Sequence, residues 1–223
     1  MRRAVAAVLI LAGALALADA AITVAWQEPV SALSARRDQP RLRAELRALE
    51  LATPAPSGAQ RRAAAAAGAR ALRRRTGDGD AVARLRIPRL HLDDVVVRGT
   101  RPDDLERAPG LFDEARLPGE RGTALIAGHR TTYGAPFRHI DRLRRGDRIT
   151  VTMPYGTFRY VVEGTRIVDP ADLRAIRTDG HSRLVLSACH PVYSAARRML
   201  VYASQIAVGQ PARALKRGVR GAR

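Results

Sequence analysis

From Ala81 onward the chain consists of short β-prone runs separated by turn residues, and this texture limits its possible folds more than any other feature. The runs are Val82–Ile87, Val95–Arg98, Thr123–Ala127, Arg148–Met153, Phe158–Val168, Arg183–Ala188 and Met199–Ile206. Pro88, Gly99, Gly122, Gly146, Pro154-Tyr155-Gly156 and Asp179-Gly180 punctuate them. Helices do not alternate regularly with these runs, which argues against a parallel βαβ sheet. A closed or sandwich-like, mainly β domain is expected over residues 81–207, and that length is enough for one core. Short helices are expected at Pro102–Arg107, around Pro136–Leu143 and at Pro170–Ile176, where Pro170 suits a first helical turn.

The preceding residues have a different character. Met1-Arg2-Arg3 leads into an apolar stretch from Ala4 to Trp26, interrupted only by Asp19. About 20 apolar residues span a bilayer, so residues 1–26 read as a membrane anchor. Arg2 and Arg3 would hold its start in the cytoplasm, leaving the rest extracytoplasmic. A cleaved signal peptide ending near Ala18-Asp19-Ala20 is the alternative. Residues 27–80 read as a flexible or partly helical stalk. Pro40–Leu51 and Gln60–Arg75 have helical character but carry almost no β-branched or aromatic core-formers, so little packing is expected there. Residues 208–223 form a basic tail with Arg213, Lys216, Arg217, Arg220 and Arg223 and no acid.

Charge narrows the partners. The chain has 39 Lys+Arg against 21 Asp+Glu, a net +18, spread along its length, and only 4% aromatics. A nucleic-acid binder concentrates its charge and interleaves aromatics for stacking, so nucleic acid is not an expected partner. Attraction to anionic lipid or an acidic cell wall fits the same charge.

One cysteine, Cys189, is present, at the end of the apolar run Leu184-Val185-Leu186-Ser187-Ala188. It cannot form an internal disulfide, so it is either a buried small hydrophobe or a reactive thiol. Its place beside Pro191 at a strand end favours the second. A thiol with a pKa near 8.5 is only a few per cent thiolate at neutral pH and needs a partner. His190 adjoins it, but neighbours on an extended chain point to opposite faces. His91 and His181 stand in turn-like polar contexts and read as surface residues, and His139, in Phe137-Arg138-His139-Ile140-Asp141, reads as one face of a helix. His129 follows the strand-like Thr123-Ala124-Leu125-Ile126-Ala127 and a single glycine, mirroring the position of Cys189, and is the candidate acid–base group. A satisfied structural histidine is the other reading. Attack on a carbonyl also requires a donor for the developing oxyanion. Arg197 and Arg198, at the start of the run after the cysteine, are the candidates, and strand alternation lets only one share the face of Cys189.

These segments resemble the sortases, extracytoplasmic cysteine transpeptidases of Gram-positive bacteria. The likeness runs from about Ala81 to Ala207 and includes Leu85-Arg86-Ile87-Pro88, the segment Ala127-Gly128-His129-Arg130-Thr131-Thr132-Tyr133-Gly134-Ala135-Pro136-Phe137, and Cys189-His190-Pro191 followed by Arg198. The last two segments are most similar to class E sortases of actinobacteria. The resemblance implies an eight-stranded β-barrel with short helices, preceded by an N-terminal transmembrane helix and the stalk. It implies His129 as catalytic histidine, Cys189 as nucleophile and Arg198 as substrate-positioning arginine. It further implies cleavage of an LPxTG- or LAxTG-like sorting signal on surface proteins between Thr and Gly, transfer to an amine of a cell-wall precursor, a single-pass plasma-membrane location, and no required cofactor or metal. One departure stands out. Sortases usually carry Thr-Leu-x-Thr before the cysteine, where this chain has Val185-Leu186-Ser187-Ala188, which puts local substrate contacts in question. The competing classes are a wall cysteine L,D-transpeptidase or hydrolase, and a non-catalytic, membrane-tethered wall-binding β-domain.

Overall fold

Alternation along the strands sorts side chains into an inside and an outside. In β1 (Ala81–Ile87), Leu85 and Ile87 are fully buried while Arg84 and Arg86 project into solvent. β5 (Arg148–Met153) alternates likewise, whereas β2 (Leu92–Arg98) and β7 (Arg183–His190) bury consecutive residues, and β4 (Thr123–Ala127), β6 (Gly156–Val168) and β8 (Arg197–Gly209) complete the long strands. A two-residue strand, β3 (Gly110–Leu111), completes the set. In this computed structural model, which describes residues 5–6, 9–14, 29–53, 61–172, 174, 177 and 180–209, the strands close into a barrel ordered β1-β2-β3-β4-β7-β8-β6-β5. β2–β3 and β4–β7 pair in parallel, and the remaining neighbours are antiparallel. Closure removes every free sheet edge, and the interior fills with Leu85, Ile87, Ile126, Phe137, Ile149, Phe158, Tyr160 and Leu186 among others.

Seven of the eight strands lie where the apolar runs place them. β3 does not announce itself, because Pro109-Gly110 reads as a turn and two residues carry no periodicity. It exists because the barrel needs a bridge: Gly110 pairs with Val97 of β2 on one side and with Ala127 of β4 on the other. A six-residue helix, Pro102–Arg107, precedes it, with Pro102 in the first turn and the Asp104 carboxylate accepting the Arg101 N–H at 3.0 Å. The helix expected around Pro136–Leu143 is a single 3-10 turn, Ile140–Arg142. Of the one expected at Pro170–Ile176, Pro170 and Ala171 form a turn, and 173, 175 and 176 lie outside the described residues.

The stalk reading needs correction. Pro29–Ala52 (α1) and Arg61–Arg75 (α2) are continuous helices packed on the barrel, with Pro102–Arg107 as α3. Leu42 and Leu46 of α1 are buried with Ala81, Val95, Val97 and Ala108. Ala65, Ala69 and Leu72 of α2 join the main core beside Tyr155 and Phe158. Spacings of four residues in the first set and of four and three in the second make one apolar stripe per helix. Alanine and glycine, which look like low complexity, allow close approach: Gly68 lies against the Tyr155 ring and leaves no room for a Cβ. Polar groups fasten the helices as well. Gln39 Oε1 accepts the Val95 N–H at 3.0 Å, and Arg73 donates to the carbonyls of Asp113 and Ala115, both at 3.0 Å. α1 begins well before Pro40, which it accommodates in its interior.

Among the described residues no helix is long and apolar enough to cross a membrane. The anchor expected at residues 1–26 lies outside the described residues apart from 5–6 and 9–14, and so do 210–223 of the expected tail. β8 extends to Gly209, beyond the expected end of the strand.

Packing of α1 makes a testable difference. Leu42→Ala should lower the unfolding free energy by about 2–4 kcal/mol, the range for a fully buried leucine. Leu51→Ala on the exposed side of the same helix should change it by less than about 0.5 kcal/mol. Urea titration of both variants distinguishes a docked helix from a loose stalk.

Candidate active site

β7 presents two different faces. Leu184, Leu186 and Ala188 point into the core, so Val185, Ser187 and Cys189 point outward. On β8, Met199, Val201 and Ala203 are the core residues, which turns Arg198 and Leu200 outward. Cys189 and Arg198 are direct partners in the antiparallel register, and His190 pairs with Arg197. Directly opposed residues share a face, so Arg198, and not Arg197, lies beside the thiol. The Arg198 guanidinium donates through Nη1 to the carbonyls of Ala195 (2.9 Å) and Arg197 (3.2 Å) in the β7–β8 loop. Cys189 is partly exposed and unpaired.

His129 arrives from the other neighbour of β7. Ala127 of β4 pairs with Ser187, and the next N–H, that of Gly128, donates to the Ser187 carbonyl at 3.0 Å. His129 stands two residues beyond Ala127, as Cys189 stands two beyond Ser187, on strands that run the same way. Neighbouring strands lie about 4.8 Å apart, so the ends of β4 and β7 deliver the two residues to the same end of the barrel. Gly128 makes this path possible: a Cβ there would lie 2.8 Å from the Phe137 ring. Phe137 is fully buried, and its N–H donates to the His129 carbonyl at 3.0 Å, closing the loop that follows β4.

The imidazole sits in a partly dry setting. Its Nε2 is buried with no hydrogen-bond partner among the described residues. The Tyr133 ring lies tilted against it, centroids 5.1 Å apart. Burial pushes the His129 pKa below its ordinary value, and the nearby Glu106 carboxylate works in the opposite direction. Among the described residues no group of three or more His, Cys, Asp or Glu is placed to hold a metal ion. The other histidines stand apart from this arrangement. His91, His139 and His181 are exposed, and His190 turns toward Arg130, whose Nη1 lies 3.4 Å from its Nδ1.

A family profile described as Sortase domain matches residues 85–206, more than half of the chain. The chain belongs to the sortase family. It is 33% identical over 132 residues to Sortase D of Bacillus subtilis, covering 57% of this chain and 65% of that protein. It is 28% identical over 90 residues to Sortase SrtE1 of Streptomyces coelicolor, covering 36% of this chain and 26% of that protein. The matched stretches thus span less than two thirds of these two relatives. A solved Sortase D5 transpeptidase of Clostridium perfringens superposes with a TM-score of 0.62 over 77% of this chain and 99% of its own, at 22% identity, which speaks for the fold.

The barrel also shows where one residue of the departure before the cysteine lies. Ala188 packs in the core opposite Met199, so its methyl occupies an inward position, not the face that carries Cys189. A residue that sequence reasoning passed over is Arg130. Its side chain is only 5% exposed, pairs with Asp141 at 2.9 Å, and reaches the Cys189 carbonyl at 3.4 Å. It ties the loop after β4 to the end of β7. Its signal in the sequence was only adjacency to His129, on a chain where arginine is everywhere. Arg130→Met should cost about 1–3 kcal/mol by leaving Asp141 and the Cys189 carbonyl without their donor. Asp141→Asn, at a half-exposed partner, should cost less than Arg130→Met. Denaturant unfolding of the two variants provides the comparison.

Proposed function

We propose that the protein is a cysteine transpeptidase that cleaves an LPxTG- or LAxTG-like sorting signal between Thr and Gly and transfers the upstream protein to an amine of a cell-wall precursor. The observation that supports this most is the direct register of Cys189 with Arg198, with the His129 loop bonded alongside. In this reading the Cys189 thiolate attacks the Thr carbonyl carbon. Arg198, whose guanidinium carries five N–H donors, stabilises the resulting oxyanion. His129 as imidazolium protonates the leaving Gly amine, the C–N bond breaks, and a thioester remains on Cys189. The acceptor amine then attacks the thioester, His129 takes its proton, and the thiolate departs as the new amide forms. Burial of His129 favours the neutral imidazole, so the acid form depends on the carboxylate of Glu106 and on whatever the bound substrate contributes.

The same proposal places the catalytic barrel outside the plasma membrane on a single-pass anchor at residues 1–26. Its motivation is the apolar stretch from Ala4 to Trp26 behind Arg2-Arg3. The His129 and Cys189 segments motivate a class E preference for Leu-Ala-x-Thr-Gly, while the higher identity to a Sortase D than to a Sortase E keeps Leu-Pro-x-Thr-Gly as an equal candidate.

The test is a fluorogenic peptide of each type with wild type and Cys189→Ala. Wild type should release the fluorophore and accumulate an acyl adduct on Cys189 that hydroxylamine removes, and Cys189→Ala should do neither. Cleavage that survives in Cys189→Ala would rule out the thiol mechanism. Arg198→Ala should lower kcat by about 10²–10³, the range for loss of an oxyanion donor. Arg198→Lys should recover only part of that, because an ammonium cannot reproduce the fork.

A further inference from the structure

The loop after His129 adopts a backbone that its residues do not prefer. Tyr133, Gly134 and Ala135 have φ of 50°, 76° and 44°, three consecutive left-handed residues of which only one is glycine. Left-handed φ at a residue with a side chain is disfavoured by contact of its Cβ with the backbone and persists where the surroundings over-determine it. Tyr133 is held from several sides. Its N–H donates to Ser31 Oγ of α1 at 3.0 Å, its hydroxyl donates to Glu106 Oε1 of α3 at 2.8 Å, and its ring lies against His129. Gly134 packs close to Ala35 of α1.

The helix that carries Glu106 is itself anchored. Its first turn is capped by the Asp104 carboxylate, Arg107 donates to the Gly79 carbonyl at 2.9 Å, and α1 packs on it. Glu106 is therefore a carboxylate on a fixed platform, one tyrosine away from an imidazole whose Nε2 is buried and unpartnered. The other charged or titratable groups around this loop are directed elsewhere or stand across the strands. Arg130 turns to Asp141 and His190, Arg198 is bonded to its own loop, and Cys189 ends β7.

We propose that Glu106 is a positioning residue for His129, acting through Tyr133, whose left-handed backbone is clamped between α1 and α3. The inference rests on the reading of His129 as the catalytic histidine. Glu106 fixes the tyrosine ring that bounds the imidazole on one side and supplies negative charge that favours imidazolium, the form that protonates the leaving amine. The helix that the sequence reads as stalk and the short helix at Pro102–Arg107 thereby become part of the machinery behind the histidine.

The experiment uses the full chain labelled with 13C,15N-histidine. The His129 signal is assigned by its loss in His129→Gln, and its titration is followed together with peptide cleavage. Glu106→Gln keeps an acceptor for the tyrosine hydroxyl but removes the charge, so the His129 midpoint should move down. Tyr133→Phe keeps the ring but removes the bond to Glu106, so kcat should fall several-fold with KM nearly unchanged. Glu106→Gln leaves the bond to the tyrosine in place, so its loss of kcat should follow the His129 midpoint, and Tyr133→Phe, which keeps the charge, should move that midpoint less than Glu106→Gln does. Asp103→Asn, exposed on the same helix, should leave the His129 midpoint where it is. An unmoved His129 midpoint in Glu106→Gln, or an unchanged kcat in Tyr133→Phe, would overturn the proposal. The titration needs no turnover: wild-type protein inert on every sorting peptide would remove the transpeptidase reading, while the His129 midpoint would still decide the link to Glu106. Urea unfolding of each variant separates a positioning effect from loss of the fold.

Discussion

Strand β7 is hydrogen-bonded along both edges, in parallel to β4 and antiparallel to β8, and the arrangement at the end of the barrel follows from that fact. Backbone pairing fixes register in steps of one residue, and a slip of one would turn the whole outward face of the strand inward. With Ala127 opposite Ser187 on one side and Arg198 opposite Cys189 on the other, residues far apart in sequence reach one end of the barrel without any direct local instruction. Parallel pairing on the β4 side matters as much as the register. Two strands running the same way end together, so the residues that follow them enter the same space.

Backbone hydrogen bonds set the level of each residue, but side-chain orientation depends on packing behind them. Phe137 fills the space beside Gly128, Arg130 joins the loop to the Cys189 carbonyl and to Asp141, and Tyr133 is gripped by Ser31 and Glu106. These contacts come from α1, α3, β7 and the loop itself. A histidine at the end of a strand would otherwise rotate freely, and its protonation would follow bulk solvent. Burial and a single carboxylate acting in opposite directions make its charge a property of the fold.

How much of this could be read from the chain varies by residue. Seven strands were legible because alternation and turn residues coincide, as at Thr123–Ala127, where the apolar run, Gly122 and Gly128 mark both boundaries. Cys189 was legible because it is unique. β3 was hidden, since two residues have no period and Pro109-Gly110 imitates a turn. The docking of α1 and α2 was hidden for a different reason: alanine contributes little to hydrophobic patterning, yet its small size is what lets a helix lie close to Tyr155 and Phe158. Arg130 and Glu106 were hidden because, among 39 basic and 21 acidic residues, only a partner distinguishes one charge from the rest.

The chain by itself determined the β-rich body, the positions of its strands and the identity of a lone thiol with a histidine at a matching strand end, because these depend on periodicity and composition, which are local. Tertiary structure decided that Arg198 and not Arg197 shares the face of Cys189, that a two-residue strand closes the barrel, and that α1, a helix before Ala81, supports the loop after His129 through Ser31 and Ala35. Those outcomes depend on register and close contact between distant segments, and no local pattern encodes which distant backbone a residue will meet.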